Sequence, residues 1–176
     1  HVTTFKNHLF FGKGDLLLFS APYLDGDSST SATQTNAYSV AAGGGNINIG
    51  DTITDLVVFR EQLIIFTPTS IKRLVGNTVA DFQLTSISED LGAINTDTAQ
   101  EIGGDIMFLA PDGLRLLSAT DRIGDFGLAV VSKKIQRETT NFINNANNYA
   151  TVTIRQKSQY RIYAKKMLSL RKFSKP

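Results

Sequence analysis

One pattern of apolar and polar residues recurs along the chain. An apolar run is followed by a short stretch of turn-forming residues and then by a second apolar run. The pattern occurs at residues 5–19, 59–74 and 102–117, and in a weaker form at 154–163. Apolar runs of about four to eight residues, bounded by Gly, Pro, Asp and Ser, are typical of antiparallel strands. The sequence therefore predicts a chain built mainly from β-hairpins.

The copies of this pattern are spaced almost regularly. The intervals between them are close to the length of one β-propeller blade, about 40 to 50 residues. We predict an all-β fold: a β-propeller fragment of three to four blade-like antiparallel units. A β-sandwich made of hairpins is the alternative, and the equal phasing of the turns favours the propeller. The residues that occupy the same place in successive copies are Leu9, Leu63, Ile106 and Tyr160.

Two sets of turns separate the apolar runs. Proline presets φ for the first central position of a turn, and Asp-Gly tolerates positive φ. Short polar turns also open each hairpin, at residues 6–8, 60–62, 103–105 and 156–158. The residues predicted to form structural turns between or within the copies are Gly50, Asp51, Pro68, Pro111, Asp112 and Gly113.

Three segments depart from the repeat. Residues 25–50 are rich in Ser, Thr, Asn, Gln and Gly and predict a long surface loop that ends in a strand at 46–49. Apolar residues near helical spacing predict one helix near 129–142, followed by an Asn-rich stretch. We expect a partial propeller over residues 1–164, with loop 25–50 inserted, and a basic C-terminal arm over residues 165–176 that is solvated or reaches an interface.

Composition excludes several classes of protein. The chain has 176 residues, 41% of them hydrophobic and 19% charged, which suits one domain with a packed core. A net charge of +2 is too small to indicate nucleic-acid binding. The absence of cysteine excludes disulfides and thiolate metal sites. The two histidines are His1 and His8, and His8 falls inside a predicted strand. No apolar run reaches the roughly 20 residues of a membrane span.

Carboxylates supply the remaining candidates for chemistry. Asp25 and Asp27 have the spacing of a calcium-loop start, but no glutamate closes the ring, so an EF-hand is excluded and a capping turn is preferred. Asp121 and Asp125 form the best pair for glycoside chemistry, and the other acids lie beside predicted turns. We therefore predict no catalytic, cofactor-binding or metal-binding residues, no cofactor, and a protein that is not an enzyme.

Several segments together carry a family resemblance, which spans residues 1–137. They are Gly50-Asp51-Thr52-Ile53-Thr54-Asp55-Leu56-Val57-Val58-Phe59, Leu63-Ile64-Ile65-Phe66, Ser70-Ile71-Lys72-Arg73-Leu74, Asp81-Phe82-Gln83-Leu84, Ile87-Ser88-Glu89-Asp90-Leu91-Gly92-Ala93 and Phe108-Leu109-Ala110-Pro111-Asp112-Gly113-Leu114. These segments resemble the propeller of tail nozzle proteins, also called tail tubular or tail stabilisation proteins, of short-tailed bacteriophages. Members of that family are much longer, so the resemblance implies a fragment or one part of a split protein.

The resemblance implies a structural protein of the virion. It implies a homo-oligomeric ring of the tail around the DNA exit channel, bound to other tail proteins, with DNA passing through during ejection without sequence-specific contacts. Two other classes remain open from the residues alone. A carbohydrate-binding or glycoside-hydrolysing propeller needs exposed aromatic residues or converging carboxylates, and a peptide-binding scaffold propeller needs a suitable groove. The lack of tryptophan weakens the carbohydrate-binding alternative.

Overall fold

The described residues form an all-β structure of four antiparallel sheets with two short α-helices. The structure is a computed structural model that describes residues 1–22, 40, 43–122 and 130–166. The first two sheets each contain four strands, joined in chain order as meanders. Their strands are β1 (Val2–Phe5), β2 (His8–Lys13), β3 (Leu16–Phe19), β4 (Gly45–Asn48), β5 (Asp55–Phe59), β6 (Gln62–Phe66), β7 (Ile71–Val75) and β8 (Gln83–Ser88).

The third and fourth sheets have fewer described strands, and helices lie between them. The third sheet has the order β11-β10-β9, and the fourth pairs β12 with β13. A 3-10 turn at Val131–Ile135 leads into the second helix. The elements are β9 (Gln100–Ile102), β10 (Asp105–Ala110), β11 (Gly113–Leu116), α1 (Leu117–Arg122), α2 (Gln136–Asn144), β12 (Ala146–Ile154) and β13 (Gln159–Lys166).

Helical structure differs from the sequence-based expectation in two places. The helix predicted near 129–142 begins as the 3-10 turn and continues as α2 to Asn144, where the Tyr149 hydroxyl donates to the carbonyl of Ile143 at 2.9 Å. Residue 129 lies outside the described residues. Helix α1 was not predicted, because its first residue, Leu117, continues the apolar run of β11.

Strand boundaries also differ. The short strand expected at 46–49 is β4, at 45–48, and the rest of the predicted loop 25–50 is described only at residue 40 and from residue 43 onward. The Asn-rich stretch after α2 runs into a strand that the sequence did not predict: β12 begins at Ala146 and pairs with β13. Strand β13 takes in Lys165 and Lys166, the start of the predicted arm, and residues 167–176 lie outside the described part of the chain.

Neighbouring sheets pack against each other through opposite faces. We call the face that contacts the next sheet along the chain the forward face, and the face that contacts the preceding sheet the backward face. The hairpins that open the first three sheets close at Phe5–His8, Phe59–Gln62 and Ile102–Asp105. Leu9, Leu63 and Ile106 therefore occupy the same place in their sheets, as their spacing in the sequence predicted. Each of these side chains points to the backward face, because side chains alternate along a strand.

Two apolar cores join the first three sheets. The first core combines forward-facing Phe10 and Phe19 of the first sheet with backward-facing Leu63 and Ile65 of the second. The second core combines forward-facing side chains of the second sheet with backward-facing side chains of the third; its largest fully buried members are Ile64, Phe66, Ile71, Ile106 and Phe108. The same register therefore operates at both interfaces.

Strand β6 is buried on both of its faces. Leu63, Ile64, Ile65 and Phe66 are each no more than 1% exposed. A strand with one wet face alternates apolar and polar residues, whereas a strand buried on both sides is apolar throughout. The unbroken apolar run in β6 thus reflects its place in the middle of the second sheet, between two others.

The hairpins that open the first three sheets share one turn geometry. Lys6 and Asn7, Arg60 and Glu61, and the pair Gly103-Gly104 all have positive φ, between 47° and 79°. Two-residue loops with positive φ at both positions match the right-handed twist of the strands they join. Three of these six residues, Lys6, Arg60 and Glu61, are neither glycine nor asparagine, the residues that this conformation favours.

We expect two adjacent residues of β6 to be equally intolerant of truncation. Ile64→Ala and Ile65→Ala should each lower the free energy of unfolding by about 2–5 kcal/mol, because each leaves a cavity in a different core. Val58→Ala in the neighbouring strand is the control, since Val58 is 38% exposed. Urea denaturation followed by circular dichroism measures the differences. A single sensitive position among the two isoleucines would contradict the two-sided burial of β6.

Candidate functional site: the hairpin tips and end faces

The predicted turn residues lie at the connections between strands. Gly50, with φ +89°, and Asp51 lie between β4 and β5. The Asp51 carboxylate accepts hydrogen bonds from the Thr69 hydroxyl at 2.8 Å and from the Thr52 amide at 2.7 Å. These bonds, that from Thr69 foremost, lower the pKa of Asp51. Asp51 therefore ties the link between the first two sheets to the β6–β7 turn.

The proline turns follow β6 and β10. Pro68 lies in the turn Thr67–Ser70, where the Ser70 amide donates to the Thr67 hydroxyl at 2.9 Å. Pro111 and Asp112 form the two-residue turn between β10 and β11, and Gly113, with φ +137°, is already the first residue of β11. The Asp112 carboxylate accepts hydrogen bonds from the buried Arg115 guanidinium.

The side chains of the carboxylates considered for chemistry fall in parts of the chain that the structure does not describe. Asp25, Asp27, Asp125 and the side chain of Asp121 lie outside its described part. Within the described residues there is no group of three or more His, Asp or Glu side chains able to hold a metal ion.

Both histidines have structural partners. His8 is 3% exposed and lies among the rings of Phe10, Phe19 and Phe82, with Nδ1 2.6 Å from the Ser20 carbonyl. His1 lies 3.2 Å from Asp55, and its hydrogen bond to that carboxylate raises the pKa of His1.

Asp55 is the polar link between the second and third sheets. It is 5% exposed, and besides His1 its carboxylate accepts hydrogen bonds from the amides of Leu56 at 3.0 Å and Ala99 at 3.1 Å. Because Leu56 lies in β5 and Ala99 directly precedes β9, Asp55 anchors the start of β5 to the start of the third sheet.

The hairpin tips of successive sheets also touch each other. Lys6, in the first tip, pairs with Glu61 in the second, and this ion pair lowers the pKa of Glu61. Arg60 packs over the Phe59 ring, 4.8 Å from its centroid, and donates to the Gly104 carbonyl at 2.7 Å. In both cases the first turn residue is basic and reaches the second turn residue of the next sheet. Sequence reasoning missed this link, although the basic residues at the two equivalent positions carry its signal.

The fourth sheet packs on the third through the same backward face. Tyr160, the residue equivalent to Leu63, donates its hydroxyl proton to the Thr98 carbonyl at 2.5 Å. Thr151, on the same face, donates to the Asp97 carbonyl at 2.5 Å. Burial raises the pKa of Tyr160 far above its ordinary value. Near the hairpin tip, Arg155 lies 3.7 Å from Glu101 of the third sheet.

A cleft of about 200 Å³ lies between the second and third sheets, and several of the polar groups in its wall are hydrogen-bonded. Arg60 donates to Gly104, Arg73 donates to the Thr85 hydroxyl at 3.0 Å, and Asp105 accepts from Ser118. Ligand pockets usually enclose about 300–1,000 Å³. We therefore assign this cleft a role in joining the two sheets.

The two end faces of the four-sheet stack carry exposed apolar residues. On the backward face of the first sheet Val2 is 67% exposed, and a cavity of about 480 Å³ opens beside the Lys6–Asn7 turn, with Thr4 and Leu9 in its wall. On the forward face of the fourth sheet Val152 is 44% and Tyr163 57% exposed. These faces are the candidate functional site, because the equivalent faces inside the stack are contact surfaces.

Comparison with known proteins leaves the family open: no model of a known protein family matches the chain, and no curated protein does. In the part of the chain that the structure describes, every helix is too short or too polar to cross a membrane.

The Tyr160 hydroxyl provides a test of the contact between the third and fourth sheets. Tyr160→Phe should lower the free energy of unfolding by about 1–3 kcal/mol, because the Thr98 carbonyl loses its donor. Tyr163→Phe is the matched control, since that ring is exposed.

The raised pKa of Tyr160 adds a pH dependence. Its folded-state pKa is above the ordinary 10.0, so its stabilising contribution is complete below that pH and is lost as the pH rises further. Thermal melts from pH 8 to 11 should therefore show a smaller alkaline loss of stability for Tyr160→Phe than for Tyr163→Phe. Equal alkaline losses would place Tyr160 in water rather than against the third sheet.

Proposed function

We propose that this chain is a structural protein of a phage virion, a partial β-propeller in the nozzle or adaptor ring of a short tail. In this role it binds other copies of itself and other tail proteins around the channel through which DNA is ejected. It catalyses no reaction and needs no cofactor. DNA passes without sequence-specific binding, in keeping with a net charge of only +2.

The observation that carries the proposal is the repeated register of the sheets. The second sheet presents one apolar face to the first sheet and the other to the third, as a blade of a propeller does. The first strands of neighbouring sheets are also in contact, β1 with β5 and β9 with β12. Innermost strands meet in this way around a propeller axis. We therefore interpret the four sheets as three to four blades of a propeller.

The segments that resemble tail nozzle proteins have structural roles that are consistent with a propeller. Asp81 accepts hydrogen bonds from the amides of Asn77 and Thr78, which shapes the loop between β7 and β8. The adjoining Phe82 ring reaches the first sheet, 6.4 Å from the Phe5 ring between centroids. Gly92 packs so tightly that a Cβ atom there would lie 1.9 Å from the Thr67 carbonyl oxygen. Each segment thus serves the joining of strands and sheets.

The carbohydrate-related alternatives find less support. A sugar-binding face needs a row of exposed aromatic rings. Among the described residues, the exposed large hydrophobic side chains include one aromatic ring, that of Tyr163. A glycosidase needs two carboxylates facing one sugar. Asp55, the most deeply buried carboxylate named above, is occupied by two backbone amides and His1.

Electron microscopy of the native assembly tests the proposal. An antibody raised against this chain should label the tail end of purified phage particles, and averaged images should show a ring there. A parallel assay with chromogenic glycosides should show no turnover. Labelling of a cellular structure, or turnover that Asp121→Asn or Asp125→Asn abolishes, would contradict the proposal.

A further inference from the structure

We propose that the cleft of about 200 Å³ between the second and third sheets is a docking site for the phenyl ring of Phe126. Phe126 belongs to the segment 123–129, which lies outside the described residues, whereas the residues that line the cleft are all described. Such a contact joins two sheets within one chain and is independent of the proposed viral function.

The interface between the first and second sheets contains a docked ring at the corresponding place. Phe82, at the end of the loop between β7 and β8, packs on the first core. Its ring centroid lies 5.5 Å from that of His8 and 5.8 Å from those of Phe10 and Phe19. The Phe5 ring follows at 6.4 Å. We call these four residues of the first sheet the Phe82 pocket.

The cleft is the equivalent of the Phe82 pocket in the next interface. Leu9 and Leu63 occupy the same place in their sheets, so strand pairing identifies the equivalent residues around them. The residues of the second sheet that correspond in this way to Phe5, His8, Phe10 and Phe19 are Phe59, Gln62, Ile64 and Arg73. All four line the cleft.

The sequence also repeats the residue that fills this pocket. The segment Asp81-Phe82-Gln83-Leu84 follows β7, and the segment Asp125-Phe126-Gly127-Leu128 follows β11. The two segments share Asp, Phe and Leu at the same positions. Phe126 is therefore the counterpart of Phe82 in the sequence.

An isolated bridge fixes the register of this second copy. Arg115 in β11 and Lys72 in β7 occupy equivalent places in their hairpins. Lys72 pairs with Ser86, and Arg115 pairs with Val130. The phenylalanine of the repeated segment precedes Ser86 and Val130 by the same number of residues. The chain thus returns to the third sheet at the position that the repeated segment requires.

The walls of the cleft suit a phenyl ring. Phe59, Ile64 and Leu117 supply apolar surface. Arg73 donates from Nε to the Thr85 hydroxyl at 3.0 Å, which holds its guanidinium beside the cleft, and a guanidinium is attracted to the face of an aromatic ring. A volume of about 200 Å³ is below the usual 300–1,000 Å³ of a ligand pocket and suits a single side chain.

Tryptophan fluorescence tests this contact, because the chain has no tryptophan of its own. The indole of Phe126→Trp should emit at shorter wavelength than that of Val79→Trp and should be quenched several-fold more weakly by acrylamide. Val79 is 41% exposed, so Val79→Trp is the solvent-exposed control. Phe82→Trp is the control for a docked ring. Quenching of Phe126→Trp as strong as that of Val79→Trp would overturn the proposal.

A second substitution shows whether the indole of Phe126→Trp lies in this cleft. Gln62→Phe adds bulk to the cleft wall and should restore strong quenching of that indole. Gln156→Phe, at an exposed position in the turn between β12 and β13, should leave the quenching unchanged. Weak quenching that persists in the presence of Gln62→Phe would place the ring elsewhere and overturn the proposal.

Urea denaturation provides a readout that does not require an indole to fit. Phe126→Ala should lower the urea midpoint by about as much as Phe82→Ala, while Val79→Ala should change it little, because Val79 is exposed. Circular dichroism checks that each variant folds. An unchanged midpoint for Phe126→Ala would contradict the docked ring. Neither readout involves the virion, so a failure of antibody labelling would refute the proposed viral function alone.

Discussion

The burial of strand β6 on both sides is the constraint from which the arrangement of the sheets follows. Burying a large apolar side chain contributes about 1.5–3 kcal/mol, and β6 buries four in succession on alternating faces. Neither face can remain in water without losing half of that contribution. The second sheet must therefore have a sheet on each side, and the first and third sheets are the ones that the chain supplies.

Polar contacts fix how the sheets are stacked and add little to the driving force. The pairing of Lys6 with Glu61 lies at the surface, where water and salt screen an ion pair and it stabilises little. Its effect is to align two hairpin tips, and the bond from Arg60 to Gly104 aligns the next pair. The buried Asp55 carboxylate acts at the start of β5 in the same way. Apolar burial thus holds the sheets together, and these contacts select one register among those that burial alone would permit.

The outer faces of the first and fourth sheets expose apolar side chains, whereas the faces between the first three sheets are buried. Within the described residues the fourth sheet is a two-stranded ribbon, and a lone hairpin is marginally stable in water. Its contacts to the third sheet through Tyr160 and Thr151 support one face, while Tyr163 and Val152 remain on the other. An exposed apolar face beside an open strand edge favours association with another chain.

The sequence by itself determined the hairpins and their spacing, because apolar runs and turn residues are local signals. The alignment of Leu9, Leu63 and Ile106 and the turns at Pro68 and Pro111 are read from neighbours in the chain. Pairing between distant segments decided the rest. The Asn-rich residues of β12 become a strand only because β13 pairs with them.

The candidate site depended on tertiary structure for the same reason. No local pattern says that His8 is enclosed by Phe82 or that Tyr160 reaches Thr98. Nor can alternation within one strand tell which face meets a neighbouring sheet and which is left at the end of the stack. That distinction belongs to the packing of whole sheets, so Val2 and Tyr163 emerged as surface residues of interest only from the fold.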